Sequence, residues 1–263
     1  MAVLSQQSHV AALKQCWKFV RNFLPSGHQH KIGIAGVRLL ENTDRRLRRS
    51  KSYSSKLNKM LSESQKKVSS AKYLDSSDYD AYVNAQLEVS IGHSNYQKRL
   101  WATTNQRTKE LVTQYLAPFV TPKKDAKVLC VGCRDTRELD FVESAVSCKA
   151  TGLDLFSFND RIVIGDMHKM PFDDNSFDSV YSCHSLEHSW DLDVALSEFK
   201  RVVRPEGSIT IEIPINYTTN ETDLHDLKQG IRVLDHLKDP SAVVLKNKDF
   251  ADRARITVKV KNS

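Results

Sequence analysis

The sequence predicts an α/β protein whose C-terminal half folds as a mostly parallel sheet, and three observations point there. From Lys127 onward, short apolar runs alternate with amphipathic helical stretches. The first run, Lys127-Val128-Leu129-Cys130-Val131, ends at Gly132, and the second, from Ala150, ends at Asp154, 22 residues after that glycine. A glycine lets backbone approach a ligand closely and a carboxylate accepts from a diol, so this order is how an open α/β sheet builds a nucleoside site.

Each element has its own signal. The spacing of Leu13, Cys16/Trp17, Val20 and Phe23/Leu24, with Lys14, Lys18 and Arg21 between, predicts a basic amphipathic helix that Pro25-Ser26-Gly27 stops. Residues 41–72 are poor in large apolar side chains and rich in Arg, Lys and Ser, which suits an exposed helix or a partly disordered linker. Tyr79 to Val89 and Tyr96 to Leu116 read as helices, closed by Pro118 and Pro122. Three regions result: a basic helical N-terminal region (1–75), a helical cap (76–120) and an α/β domain (121–263).

Within the α/β domain the reading runs strand 127–131, helix 136–145, strand 150–155, strand 161–164, a turn-rich loop 171–177 and strand 178–182. Helix 191–203 follows, then a turn at Arg204-Pro205-Glu206-Gly207, strand 208–213, helix 224–237, and a terminal antiparallel pair at 242–245 and 255–260. The fold expected is therefore Rossmann-like, with an added antiparallel pair.

Composition narrows the function. No apolar run is long enough to cross a bilayer and the N-terminus lacks a secretory pattern, so a cytoplasmic protein is expected, peripheral to a membrane at most. Five cysteines, irregularly spaced, argue for a reducing compartment. Charge is divided unevenly: residues 1–126 hold 21 Lys+Arg against 9 Asp+Glu, and residues 127–263 hold 18 against 23. An anionic surface, membrane or nucleic acid, is thus a candidate partner of the basic region, as is a second copy of the chain; a solvated helical face is the plainer reading.

Six ordered motifs carry a further signal. They are Val128-Leu129-Cys130-Val131-Gly132-Cys133, Gly152-Leu153-Asp154, Gly165 to Phe172, Asn175 to Val180, Ser185-Leu186-Glu187-His188 and Arg201 to Gly207. Together they resemble the core of class I S-adenosylmethionine-dependent methyltransferases of the small, type 11-like kind. The resemblance covers about a third of the chain.

It implies S-adenosylmethionine as cofactor. Backbone groups of Val131, Gly132, Cys133 and Arg134 would wrap its methionine part, and Asp154, with Leu155 beside it, would bind the ribose diol. Asp166 would accept from the adenine amino group beside Met167, and Cys183 and His184 would line the pocket near the sulfonium. His184, Glu187 and His188 cluster where a base is needed for a hydroxyl acceptor, with His188 suited to titrate near neutrality; a structural hydrogen bond is the alternative. No metal-ligand spacing is apparent.

The chain departs from the family in its glycine loop, which keeps only Gly132 and has Cys130 where an acidic residue is usual. Asp135 and Glu138 are nearby carboxylates available to stand in. The polar segment holding Asn216, Tyr217, Thr222, Asp223, His225 and Asp226 suits a polar small-molecule or saccharide acceptor methylated on O or N. Two alternatives are a degenerate methyltransferase domain serving as a binding scaffold and a nucleic-acid methyltransferase using the basic region.

Overall fold

The computed structural model describes residues 62, 66, 73–95, 106–120, 125–133, 136–157, 159–215, 219, 222–225, 235 and 242–261. The expected helices at 10–24 and 41–72 lie outside these, apart from 62 and 66, as does most of the expected helix 224–237; its Leu224 and His225 are not helical.

Seven strands form one sheet: β1 Lys127–Val131, β2 Lys149–Asp154, β3 Ile162–Ile164, β4 Phe177–Cys183, β5 Val203–Pro214, β6 Ala242–Asp249 and β7 Arg253–Val260. Their order is β3-β2-β1-β4-β5-β7-β6. The first five pair in parallel, whereas β7 runs antiparallel to both β5 and β6, as the sequence suggests. The parallel strands are covered on both faces, which is why β1 reads as an unbroken apolar run. Leu129 and Val131 pack with Leu196, Phe199 and Val202 of α4, Leu192–Val202. Val128 and Cys130 face the other way, onto Leu139 and Val142 of α3, Thr136–Val146.

Two departures from the expected elements have local causes. The turn at 204–207 is absorbed into β5 as a bulge, its extra residues lying between the Phe177↔Val203 and Ser179↔Ser208 pairings, with Glu206 left-handed (φ 63°). The end of the helix expected over 96–116 is α2, Gln106–Leu111, followed by a π-turn, Val112–Leu116. There the Ala117 N–H reaches the Val112 carbonyl, five residues back. The Tyr115 carbonyl accepts instead from the hydroxyls of Thr210 on β5 (3.0 Å) and Thr257 on β7 (2.7 Å). Leu111, Val112, Tyr115 and Leu116 belong to the same core as β1 and α3.

Helix α1, Ser77–Asn95, docks through Tyr79, Tyr82, Val83 and Leu87 onto Phe156, Leu155, Ile164 and Leu224. The N-terminus of α4 is capped by Asp191, whose carboxylate accepts from the Val194 N–H at 3.1 Å. No helix among the described residues is long and apolar enough to cross a membrane.

Candidate active site

Strand order reverses between β1 and β4, and ligands of open α/β sheets collect at the strand C-termini beside such a switch. Here β1 ends at Gly132, left-handed at φ 74°, whose N–H donates to the Leu153 carbonyl at 2.8 Å. A side chain there would both strain this backbone and place a Cβ 2.4 Å from that of Ser185. Ser185 closes the turn after β4, bonded to Ser182 Oγ (2.5 Å) and the Val131 carbonyl (3.2 Å). A cleft of about 570 Å³, including its open mouth, lies along this edge and is of a size suited to a small-molecule ligand.

One end of the cleft is built around two aspartates. Asp154 ends β2, is mostly buried, and accepts from the Phe156 N–H at 3.4 Å. Asp166 follows β3 and is more thoroughly engaged. Its Oδ1 accepts from the backbone N–H of His168 (2.9 Å) and from His168 Nδ1 (2.7 Å), and its Oδ2 accepts from the Tyr79 hydroxyl (2.5 Å). The tautomer follows from the far side of the ring: His168 Nε2 accepts from the Trp190 and Asp191 N–H groups at 2.9 and 3.2 Å, so the proton sits on Nδ1. Burial alone would push the Asp166 carboxyl up; the His168 bonds and the Tyr79 hydroxyl outweigh it and hold it below the usual range.

The other end holds the imidazoles. His188 closes the 3₁₀ turn Leu186–His188, and its Nδ1 lies 2.8 Å from Asp223 Oδ1 and 2.9 Å from the Thr222 carbonyl. With two acceptors there, Nδ1 carries the proton and Nε2 is the ring's acceptor atom, which is the disposition of a general base. His184, left-handed at φ 53°, lies with Nε2 3.1 Å from Glu212 Oε1 and Nδ1 3.5 Å from Glu187 Oε1. Burial would lower its pKa, but the two glutamates outweigh burial and raise it.

Glu212, fully buried on β5, is also paired with Arg255 Nε (2.6 Å) directly across on β7 and with Arg107 Nε (3.1 Å). Burial pushes this carboxyl up, and His184 and Arg255 bring it below its usual value.

Of the residues the resemblance singles out, Val131, Gly132, Asp154, Leu155, Asp166, Met167, His184 and His188 line the cleft. Cys133, Cys183 and Glu187 do not. The Cys133 sulfur packs 2.5 Å from where a Cβ on Gly152 would stand, and Cys183 turns to the α3 side of the sheet. Glu187 is buried behind His184, with Oε2 lacking a hydrogen-bond partner. Arg134 and Asp135 lie outside the described residues, as do Asn216, Tyr217 and Asp226. Glu138 Oε1 accepts from the Tyr181 hydroxyl at 2.7 Å, and Tyr181 is in register with Cys130.

Sequence reading missed what α1 brings: Tyr82 and Gln86 line the cleft and Tyr79 holds Asp166. Their spacing, seven residues along one helical face, was the available signal. Within the polar segment after β5, the described residues 222–225 brace the turn that carries Glu187 and His188. Thr222 and Asp223 hold His188, the Leu224 and His225 N–H groups donate to the Glu187 carbonyl, and Gln86 donates to the Thr222 carbonyl at 2.7 Å.

The donor set fits an adenosyl cofactor: a carboxylate at the end of β2, apolar walls from Leu153, Leu155 and Met167, and a glycine turn at the end of β1. Comparison with known proteins agrees with this geometry. Residues 129–211 match the family described as "Methyltransferase domain". The chain is 30% identical over 138 residues to the sterol 24-C-methyltransferase erg-4 of Neurospora crassa, covering 45% of this chain and 36% of that protein.

It is 37% identical over 78 residues to the sterol 4-C-methyltransferase strm-1 of Caenorhabditis elegans, covering 30% and 22%. It thus spans about a third or less of these relatives' length. Among solved structures, the 1,6-didemethyltoxoflavin-N1-methyltransferase of Burkholderia thailandensis, with S-adenosylhomocysteine bound, shares the fold at a TM-score of 0.55 and 13% identity, covering 73% of this chain and 93% of that one. Residues 129–211 thus match a methyltransferase domain, and the strand order and the cleft at the strand C-termini agree with that match.

Proposed function

We propose that this protein transfers a methyl group from S-adenosylmethionine to an oxygen or nitrogen of a polar small molecule or saccharide, with His188 as the base. The observation that carries the acceptor side of this reading is the Asp223–His188 pair, which directs a proton-accepting Nε2 from a ring that lines the cleft. When bound, the cofactor supplies a methyl group already activated on a sulfonium, so alignment does most of the work. Asp154 would hold the ribose diol, Leu155 and Met167 would flank the adenine, and Asp166 would accept from its amino group. The backbone of Val131, Gly132 and Cys133 would hold the methionine portion. His188 removes the acceptor's proton, and Asp223 keeps its ring in the required tautomer.

The names of the sterol relatives favour a second reading, methylation at carbon, in which the same base would remove a proton after methyl addition. Radiolabelled methyl transfer to saccharides and amino alcohols on one side, and to sterols on the other, separates the two. The cofactor assignment is tested by calorimetric titration of the full chain with S-adenosylhomocysteine. Asp154→Ala is expected to weaken that binding by about 1–3 kcal/mol through lost hydrogen bonds, and an unchanged affinity would remove Asp154 from the site.

A further inference from the structure

Asp166 stands where the proposed site needs an acceptor for the adenine amino group, yet its side chain is only 3% exposed and three hydrogen bonds already reach it. The two from His168 cannot be given up cheaply. That ring has no exposed surface, and its other nitrogen is held by two backbone N–H groups at the start of α4. The third bond is different in origin. It comes from Tyr79 on α1, a helix outside the sheet.

Tyr79 also has the shape of what it would yield to. It is a flat ring with one donor at its edge, boxed by Tyr82 (centroids 5.3 Å apart), Trp190 (5.6 Å) and Tyr73 (5.9 Å) and bonded to Asp166 Oδ2. Adenine with its amino group offers Asp166 the same chemistry. Burial, reinforced by the Asp166 carboxylate, keeps the phenol protonated, so it is a donor throughout the physiological range. On the cofactor reading above, we propose that the Tyr79 hydroxyl and the adenine amino group compete for Asp166 Oδ2, so that the cofactor binds by displacing Tyr79 and this tyrosine sets its affinity.

The same helix face reaches the base. The Tyr82 hydroxyl donates to the His188 carbonyl at 2.6 Å, and Gln86 donates to the Thr222 carbonyl that also holds His188 Nδ1. Displacing Tyr79 therefore loosens the helix that braces His188, and cofactor arrival is felt at the acceptor end.

The test is calorimetry of the full chain with S-adenosylhomocysteine. Tyr79→Phe removes the competing donor and keeps the ring, and is expected to tighten binding roughly tenfold, about the worth of one hydrogen bond to a charged acceptor. Val83→Ala, which trims the packing of α1 at a position that neither lines the cleft nor bonds Asp166, is expected to change it less than twofold, and the Tyr79→Phe gain is expected to vanish in an Asp166→Asn background. Unchanged or weaker binding by Tyr79→Phe overturns the proposal, as does an equal gain from Val83→Ala, which would mean general loosening of α1.

Should Tyr79→Phe fail to fold, tyrosines labelled with ¹³C at Cζ in the wild-type protein give a second readout. The Tyr79 resonance is expected to move on adding S-adenosylhomocysteine, and a fixed resonance in a saturated sample overturns the proposal. Absence of any binding by the wild type and by Tyr79→Phe alike would remove the cofactor reading itself, and this inference with it.

Discussion

Two buried carboxylates, Asp166 beyond β3 and Glu212 on β5, sit on opposite sides of the β1/β4 switch and meet the same problem in different ways. Both are almost fully removed from water and both are held below the usual carboxylate range. Glu212 is matched by charge, chiefly from Arg255 directly across the strand pair, with His184 at the end of β4 and Arg107 on α2. Asp166 is matched by hydrogen-bond donors, one of them on a helix that is not part of the sheet. A carboxylate satisfied by neighbouring strands is a fixed structural element, whereas one satisfied by a docked helix can exchange partners. On the proposal above, the comparison separates a scaffold charge from one available to a ligand.

The largest way to break this contrast is Glu212→Ala. It leaves Arg255, 1% exposed, without its main counter-ion and is expected to cost about 3–5 kcal/mol, read by urea unfolding. Asp166→Ala removes the acceptor shared by the Tyr79 hydroxyl and the His168 ring, leaving them only the 3.1 Å contact with each other, but strands no buried arginine. Its expected cost is about 2 kcal/mol in the same assay.

Acid sharpens the comparison further. Folded values held below the ordinary 3.8 and 4.5 mean that both carboxylates stabilise the fold above that range, and that the contribution fades as pH falls through the depressed values. Thermal melting should therefore decline below about pH 4.5, less steeply in Asp166→Asn than in the wild type.

The smallest expected effect has the opposite sign. His184 has a raised pKa, so its contribution is complete below 6.5 and is lost as pH rises through the folded value. A slight fall in melting temperature above neutrality, absent in His184→Gln, would register it.

Much of this architecture was legible in the sequence, because β1, β2 and β4 are short apolar runs ending in residues with chemical meaning, and sheet burial demands such runs. Gly132, Asp154 and Asp166 could be placed at the strand ends for the same reason. Side-chain direction was harder to read. Cys133 and Cys183 sit one residue from lining positions; alternation along β4 turned Cys183 toward α3, and the left-handed turn at Gly132 put Cys133 on that side as well. Glu212 and Arg255 read as ordinary strand residues, since a cross-strand ion pair depends on the register of two segments far apart in sequence. Tyr79 was hidden for a related reason: a helix pattern shows which face is buried but not which carboxylate that face will meet.

The π-turn at 112–116 has a consequence for how this chain can vary in length. Trimming one residue from it would restore ordinary helical winding, rotate the Tyr115 carbonyl away from Thr210 and Thr257, and leave those two buried hydroxyls only the 3.3 Å contact with each other. The Lys246 ammonium, which covers the Tyr115 ring and bonds the Gln114 carbonyl, would lose its seat as well. A deletion in a short stretch ahead of the first strand would thus register two strands away, on β5 and β7, so homologous chains that keep both threonines should keep the extra residue too.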